Sequence, residues 1–182
     1  MNRPNQIETK RLILRPLNQN DFEVFTNIIK DDEVLNNLEF VLKIKPIKNI
    51  KSLFLTVIDS LNSKNSILVL IVINKEDGNR IGSCGLKVLK DYNGAECFYT
   101  LLPKHRGFGF AIEAMKKLIE YAFKELKLAR IITFIQPTNS RSWKVAERIG
   151  MKYLGHKQIR NTSSKAMYFS IEKAEFEAQW DY

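Results

Sequence analysis

The period of apolar and polar positions changes several times along the chain, and each change marks a predicted element. Arg11-Leu12-Ile13-Leu14-Arg15 alternates charged and apolar residues and stops at Pro16, the pattern of an opening strand. Phe22, Phe25, Ile28 and Ile29 then recur at helical spacing behind Asn20 or Asp21, either of which can cap a helix by accepting hydrogen bonds from its free amides. A second amphipathic helix is predicted after Pro46, with Ile50, Leu53, Phe54, Val57, Ile58 and Leu61 on its apolar face. From Ser66 the helical period disappears. Residues 67–73 are apolar throughout and largely β-branched, as a strand covered on both faces requires.

Turn residues at Lys75 to Asn79 and at Asp91-Tyr92-Asn93-Gly94 divide the next stretch into strands over 81–89 and 95–102, so three strands form a meander. After Pro103 a glycine-containing loop opens a long helix that turns Ile112, Met115, Leu118, Ile119, Ala122, Phe123 and Leu126 inward. A strand over 130–135, a short helix over 140–149 ended by Gly150, and a hairpin of 153–159 with 166–171 around Asn161-Thr162-Ser163-Ser164 complete the series. The pattern specifies a mixed α/β (α+β) fold with an antiparallel front and a strand–helix–strand centre. No repeat or Pro/Gly/Ser linker divides the 182 residues, so the expectation is one domain over 1–182.

Composition narrows the class. Hydrophobic residues at 45% and charged residues at 27% are globular values, which argues against a disordered or disulfide-built chain. The longest apolar run, 67–73, falls far short of the ~20 residues of a membrane-spanning helix. No apolar signal segment follows Met1, so the expected location is the cytoplasm, with no membrane partner. Lys and Arg exceed Asp and Glu by 29 to 20, a net +9 that permits an anionic partner, but the cations are interleaved with carboxylates rather than gathered in a block. Cys84 and Cys97 sit in separate apolar stretches without a C-x-x-C spacing and read as buried free thiols; no metal-ligand constellation is seen.

Candidate chemistry concentrates where the strand over 95–102 gives way to Pro103-Lys104-His105-Arg106-Gly107-Phe108-Gly109-Phe110-Ala111. Free amides at a helix N-terminus and the helix dipole both favour an anion, glycines let the backbone approach it, and Lys104 and Arg106 add charge. The spacing is neither that of a Walker A loop nor that of a dinucleotide fingerprint. Further on, Asn139 stands at a strand end and Ser142 in the first turn of the next helix, which taken alone is capping chemistry.

Together these residues resemble the GNAT family of acetyl-CoA-dependent N-acetyltransferases, in the branch of ribosomal-protein N-terminal acetylases. Lys104-His105-Arg106-Gly107-Phe108-Gly109 is similar to the family's phosphate loop, with Lys at a first position usually Gln or Arg. Glu8-Thr9-Lys10-Arg11-Leu12-Ile13-Leu14-Arg15-Pro16 resembles the branch's opening, and Asn139-x-x-Ser142 running on to Glu147-Arg148-Ile149-Gly150-Met151 resembles its later signature. The resemblance spans about residues 7 to 171 in matching order. It implies a splayed central sheet of about seven strands with about four helices on both faces, in which the strands 95–102 and 130–135 part around the pantetheine of acetyl-CoA. The diphosphate would rest on amides of Arg106, Gly107, Phe108, Gly109, Phe110 and Ala111. Main-chain groups near Leu101 and Leu102 would hold the pantetheine and polarise the thioester, and Asn139 would contact the cofactor. Phe98 stands where the family often has glycine.

The implied reaction needs an uncharged amine, support for charge on the thioester oxygen, and a proton for the departing thiolate. Ser142 is the candidate acid and Glu96 the candidate base, acting through a water; an ordinary first-turn helix serine and an outward strand carboxylate are the alternative readings. His105 is expected at the surface, and Tyr99, Trp143, Tyr153 and Tyr168 are left unassigned between an acceptor cleft and the core. The acceptor implied is a protein N-terminal α-amine, with ribosome association. The alternatives are a polyamine or aminoglycoside, which a carboxylate cluster at Asp31, Asp32 and Glu33 would favour, and a non-catalytic acyl-CoA sensor or RNA-associated module. Monomer and homodimer both stay open.

Overall fold

The computed structural model describes residues 3–32, 34, 49–62, 67–89, 93–158 and 164–180. In chain order the elements are β1 (Ile7–Glu8), β2 (Leu12–Pro16), α1 (Phe22–Ile29), α2 (Ile50–Asn62), β3 (Ile67–Asn74), β4 (Arg80–Leu89), β5 (Gly94–Leu101), α3 (Phe110–Lys124), β6 (Arg130–Ile135), α4 (Ser140–Arg148), β7 (Lys152–Gln158), β8 (Lys165–Glu172) and α5 (Lys173–Trp180). The strands form one mixed sheet in the order β1-β2-β3-β4-β5-β6-β8-β7. Pro46, Glu33, Ser66, Asp91, Tyr92 and the hairpin residues Asn161 to Ser163 lie outside the described residues, as does the side chain of Leu61.

Two apolar layers cover the sheet. Even-numbered residues of β3 (Leu68, Leu70, Val72) join Met115, Leu118, Ile119 and Phe123 of α3 in the larger core. Ile71, Val69 and Ile73 face the other way, onto Val24, Ile28, Phe54 and Ile58 of α1 and α2. The apolar run 67–73 is continuous because both of its faces are buried. Between β5 and β6 the chain crosses over through α3, which makes these two strands parallel. The Cys84 and Cys97 thiols are buried and unbridged, and burial pushes both up to about 12.

The structure departs from the sequence reading at several points. Eight strands and five α-helices are present among the described residues, where about seven and four were expected. The two-residue β1 is too short to alternate, and α5 buries only Phe176 among its described side chains, so it shows no apolar stripe. Neither Asn20 nor Asp21 caps α1 through its side chain. Asn18 caps the preceding 3-10 turn, and Asn49, whose side chain accepts from the Ser52 amide at 3.0 Å, begins α2. On α1 it is Val24 that is buried while Phe22 is exposed; Phe22 and Phe25 set their rings edge-on to Phe54, with centroids 5.3 and 5.2 Å away.

Asp21 has a different task. Its carboxylate is fully buried and receives Arg15 in a two-pronged contact at 2.7 Å per bond, the Asn18 amide at 2.9 Å and Arg80 at 3.0 Å. Burial alone would raise its pKa, but Arg15, the Asn18 amide and Arg80 outweigh it and hold the carboxyl below the usual range. The pairing fastens the entry of α1 to β2 and β4. Asp21→Asn is expected to destabilise the fold by about 1–3 kcal/mol at pH 7, since it removes the buried charge that pairs with the half-buried Arg15, while the exposed Arg80 can turn to solvent. Because the folded pKa is depressed, this stabilisation is complete above the unfolded pKa of ~3.9 and is lost as pH falls through the folded value. Urea denaturation of both proteins at pH 7 and near pH 3 checks both statements: the difference between them should shrink in acid.

Candidate active site

The site begins where two strands separate. β5 and β6 pair at Gly94↔Arg130, Ala95↔Ile131 and Glu96↔Ile132 and then stop, although β5 runs on to Leu101 and β6 to Ile135. β5 itself is straight there: it stays in unbroken register with β4 from Leu89↔Gly94 to Gly82↔Leu101. Phe98 is accommodated because its ring lies over Gly85, where an added Cβ would stand 2.3 Å from Phe98 Cζ. A wedge therefore opens between β5 and β6 with Glu96 at its vertex.

Ladder geometry decides which backbone groups line the wedge. The Leu102 amide donates to the Ile81 carbonyl at 2.9 Å, toward β4. Neighbouring residues alternate in direction, so Leu101 and Tyr99 turn their N–H and C=O groups away from β4 and into the wedge. Of the two strand-end residues singled out in the sequence, Leu102 has its amide engaged and Leu101 presents its own. The Leu101 carbonyl accepts from Arg106 Nε at 2.9 Å.

At the open end lies the loop. A single 3-10 turn over Pro103–His105 leads into Arg106, whose amide donates to the Pro103 carbonyl at 3.1 Å. Gly107 and Gly109 follow with φ of 89° and 79°, left-handed conformations that glycine adopts without the penalty of a side chain. Gly109 occupies the N-cap position of α3 and offers no side-chain cap. Among the described residues, the six amides from Gly107 to Ile112 have no hydrogen-bond acceptor; the ladder of α3 begins with Glu113 donating to Gly109 at 3.1 Å. Six successive unpaired donors at the positive end of a 15-residue helix form a cradle for an anion.

Arg106 contributes to this cradle less than the sequence suggested. Its amide is spent on Pro103, and its guanidinium turns toward α1, with Nη2 3.0 Å from Asp31 Oδ1. The other oxygen-rich task of Asp31 is local: Oδ1 also accepts from the Val34 amide at 2.9 Å. His105, expected at the surface, is half-buried with Nε2 enclosed and unpartnered, and burial and Lys104 hold its pKa below the ordinary histidine value.

On the far side of the wedge, Asn139 caps α4: its side-chain oxygen accepts from the Ser142 amide at 3.1 Å, which leaves Nδ2 as its donor. Ser142, in the first turn, lies with Oγ 3.4 Å from the Tyr99 hydroxyl, a long contact that bridges β5 and α4. Tyr99 is one of the four aromatic residues that the sequence leaves unassigned; its odd position, two after Cys97, places it on the α3 face. Glu96 occupies an even position and so projects from the opposite face, half-buried, beside its cross-strand partner Lys87. Burial raises the Glu96 pKa and Lys87 opposes the rise. The two candidate catalytic side chains therefore approach the wedge from opposite faces of β5. Trp143 packs against the larger core, Tyr168 is buried beside Phe134, and Tyr153 is exposed with its hydroxyl 2.7 Å from His156 Nδ1. No His, Cys, Asp and Glu cluster able to hold a metal ion exists among the described residues, and no helix among them is long and apolar enough to cross a membrane.

Known proteins share this fold. A profile of the acetyltransferase (GNAT) domain matches residues 11–152. An uncharacterized N-acetyltransferase, p20 of Bacillus licheniformis, is 30% identical over 175 residues, which cover 92% of this chain and 96% of that protein. Among solved structures, the spermidine N-acetyltransferase of Vibrio cholerae in complex with CoA and spermine superimposes with a TM-score of 0.78 at 20% identity, over 92% of this chain and 99% of that one. The ribosomal-protein-S5-alanine acetyltransferase of Vibrio fischeri gives 0.71 at 17% identity, over 94% and 98%. With the domain matched over most of its length and a full-length relative at 30% identity, the chain belongs to the GNAT family of N-acetyltransferases, enzymes whose fold uses acetyl-CoA.

Proposed function

We propose that this chain transfers the acetyl group of acetyl-CoA to the α-amine at the N-terminus of a polypeptide. The observation that carries the donor half is the row of unpaired amides from Gly107 to Ile112 beside a sheet that has parted. Such donors suit the CoA diphosphate, and the wedge suits the extended pantetheine arm, which needs backbone partners of the kind Tyr99 and Leu101 offer. Acetyl-CoA supplies the activated thioester; the chain's own residues bind, orient and move protons. Gly107, Phe108, Gly109, Phe110 and Ala111 hold phosphate oxygens through their amides. The Leu101 amide is aimed to stabilise negative charge on the thioester oxygen. Asn139 Nδ2 donates to the arm.

Proton transfer is divided between the faces. Glu96, at the vertex, takes the proton of the incoming ammonium through a water, and the burial that raises its pKa makes it a stronger base than an exposed carboxylate. On the opposite face Ser142, with the Tyr99 hydroxyl behind it, gives a proton to the departing thiolate. An α-amine with a pKa of ~8 is already partly neutral at pH 7, whereas a lysine amine at ~10.4 is not, so a carboxylate acting through water is sufficient for the former. The Asp31–Arg106 pair supports the polypeptide acceptor over a polyamine. A polycation is recognised by uncompensated carboxylates, and Asp31 is already paired with a guanidinium.

Incubation with acetyl-CoA and separate pools of free-N-terminus peptides, polyamines and aminoglycosides, read by mass spectrometry, tests this reading. The peptide pool should gain one acetyl group per chain; a gain confined to polyamines reassigns the acceptor. With the accepted amine in hand, Glu96→Gln should lower kcat/KM about 10²-fold. Glu96 works as the anion, so the wild-type rate falls as pH drops through its raised pKa; the variant should lose that step in the pH profile and keep only the rise due to the amine. Ser142→Ala should lower kcat by about tenfold or more while the Kd of CoA, measured calorimetrically, stays within about twofold.

A further inference from the structure

The opening motif from Glu8 to Pro16 has no part in the chemistry above, yet it lies against the phosphate cradle. Glu113, in the first turn of α3, accepts hydrogen bonds from the Thr9 hydroxyl at 2.6 Å, the Arg11 amide at 2.8 Å and Arg11 Nε at 2.6 Å. From that anchor the Arg11 guanidinium reaches the loop. Nη1 donates to the Phe108 carbonyl at 3.0 Å, and the guanidinium carbon lies 4.6 Å from the centre of the Phe110 ring. One cation thus grips both neighbours of Gly109, the residue at which the chain turns from loop into helix; Arg11 Nη2 is the nearest atom to a Cβ built there, at 3.6 Å.

The grip has a directional consequence. In a trans peptide the carbonyl and the following N–H point in opposite directions. Holding the Phe108 carbonyl toward Arg11 turns the Gly109 amide the other way, to the side where its neighbours stand unpaired. Glycine at φ of 79° has little preference of its own, and α3 has no side-chain cap to fix its start. Electrostatics agree: a bare carboxylate in this turn would repel a phosphate, but Arg11 neutralises Glu113. Burial would raise the Glu113 carboxyl, and Thr9 and Arg11 together hold it below the usual range.

We propose that Arg11, anchored on Glu113, is the positioning residue of the phosphate loop: it orients the Gly109 amide and its neighbours before the diphosphate arrives. The inference rests on the reading of Gly107 to Ile112 as the diphosphate site. It assigns the cation serving that site to the residue just before β2, some 95 residues upstream of Arg106.

The test compares CoA with pantetheine, which fills the wedge but carries no phosphate. Kd values are measured for the wild type, Arg11→Gln, Arg11→Lys and Glu113→Gln. The Gln variants should bind CoA about tenfold more weakly, while their Kd for pantetheine changes less than about twofold. Arg11→Lys, which keeps the charge but cannot bond Glu113 and Phe108 at once, should fall between them and the wild type. An unchanged CoA Kd in all three variants overturns the proposal. So does an equal loss for both ligands, which marks a general loosening of the fold; thermal melts identify any variant that has lost cooperative folding, and Arg11→Lys then decides. Wild-type protein that binds pantetheine but gains nothing from the phosphates of CoA overturns the diphosphate reading and this inference with it.

Discussion

Everything that makes this chain more than a covered sheet follows from the loss of one set of backbone hydrogen bonds. After Glu96↔Ile132 the parallel strands β5 and β6 part, and the groups on their inner edges have no strand opposite. Unpaired backbone polar groups are costly when enclosed, so a sheet does not split unless something else holds it open. Here β5 is held by β4 along its whole length and β6 by β8 over six residue pairs, from Arg130↔Glu172 to Ile135↔Met167. Each strand is secured by its outer neighbour, which leaves the inner edges available to a ligand.

The same economy of partners runs through the site. Alternation along β5 sends the backbone groups of Tyr99 and Leu101 into the wedge while the side chains of Glu96 and Tyr99 leave on opposite faces, so one extended strand supplies both walls of the chemistry. The loop beyond it is shaped by two left-handed glycines and by two guanidinium groups: that of Arg106 turns outward to Asp31, and that of Arg11, anchored on Glu113, reaches in to the Phe108 carbonyl. Cations are therefore spent on holding the backbone, and the amides from Gly107 to Ile112 are left without acceptors among the described residues.

Much of this was legible in the sequence, for identifiable reasons. The strand 130–135 and the core of α3 were readable because strict periodicity and glycine punctuation leave few alternatives. The turn from loop into α3 was readable because Gly107-x-Gly109 before an apolar helix is a local signal. What was hidden is non-local. Arg106 looked like a phosphate ligand because charge in a loop says nothing about its direction, and Asp31, which claims it, is 75 residues away. Asp21 looked like a helix cap because Asp before an apolar stripe usually is one, whereas two arginines brought by β2 and β4 take it for the interior. The Tyr99–Ser142 contact spans 43 residues and two elements. β1 and α5 were missed for the opposite reason: too few residues, or too few buried ones, to make a pattern.

The Arg11–Glu113 clasp also bears on how the chain acquires its active form. It joins residues 102 apart in sequence, so the entropy of closing that loop must be met before the contact can form. Helix α3 and the loop ahead of it are local structures, whereas the clasp waits for the N-terminal hairpin to dock. The clasp therefore depends on the first strands of the chain finding their place beside a helix more than halfway along it.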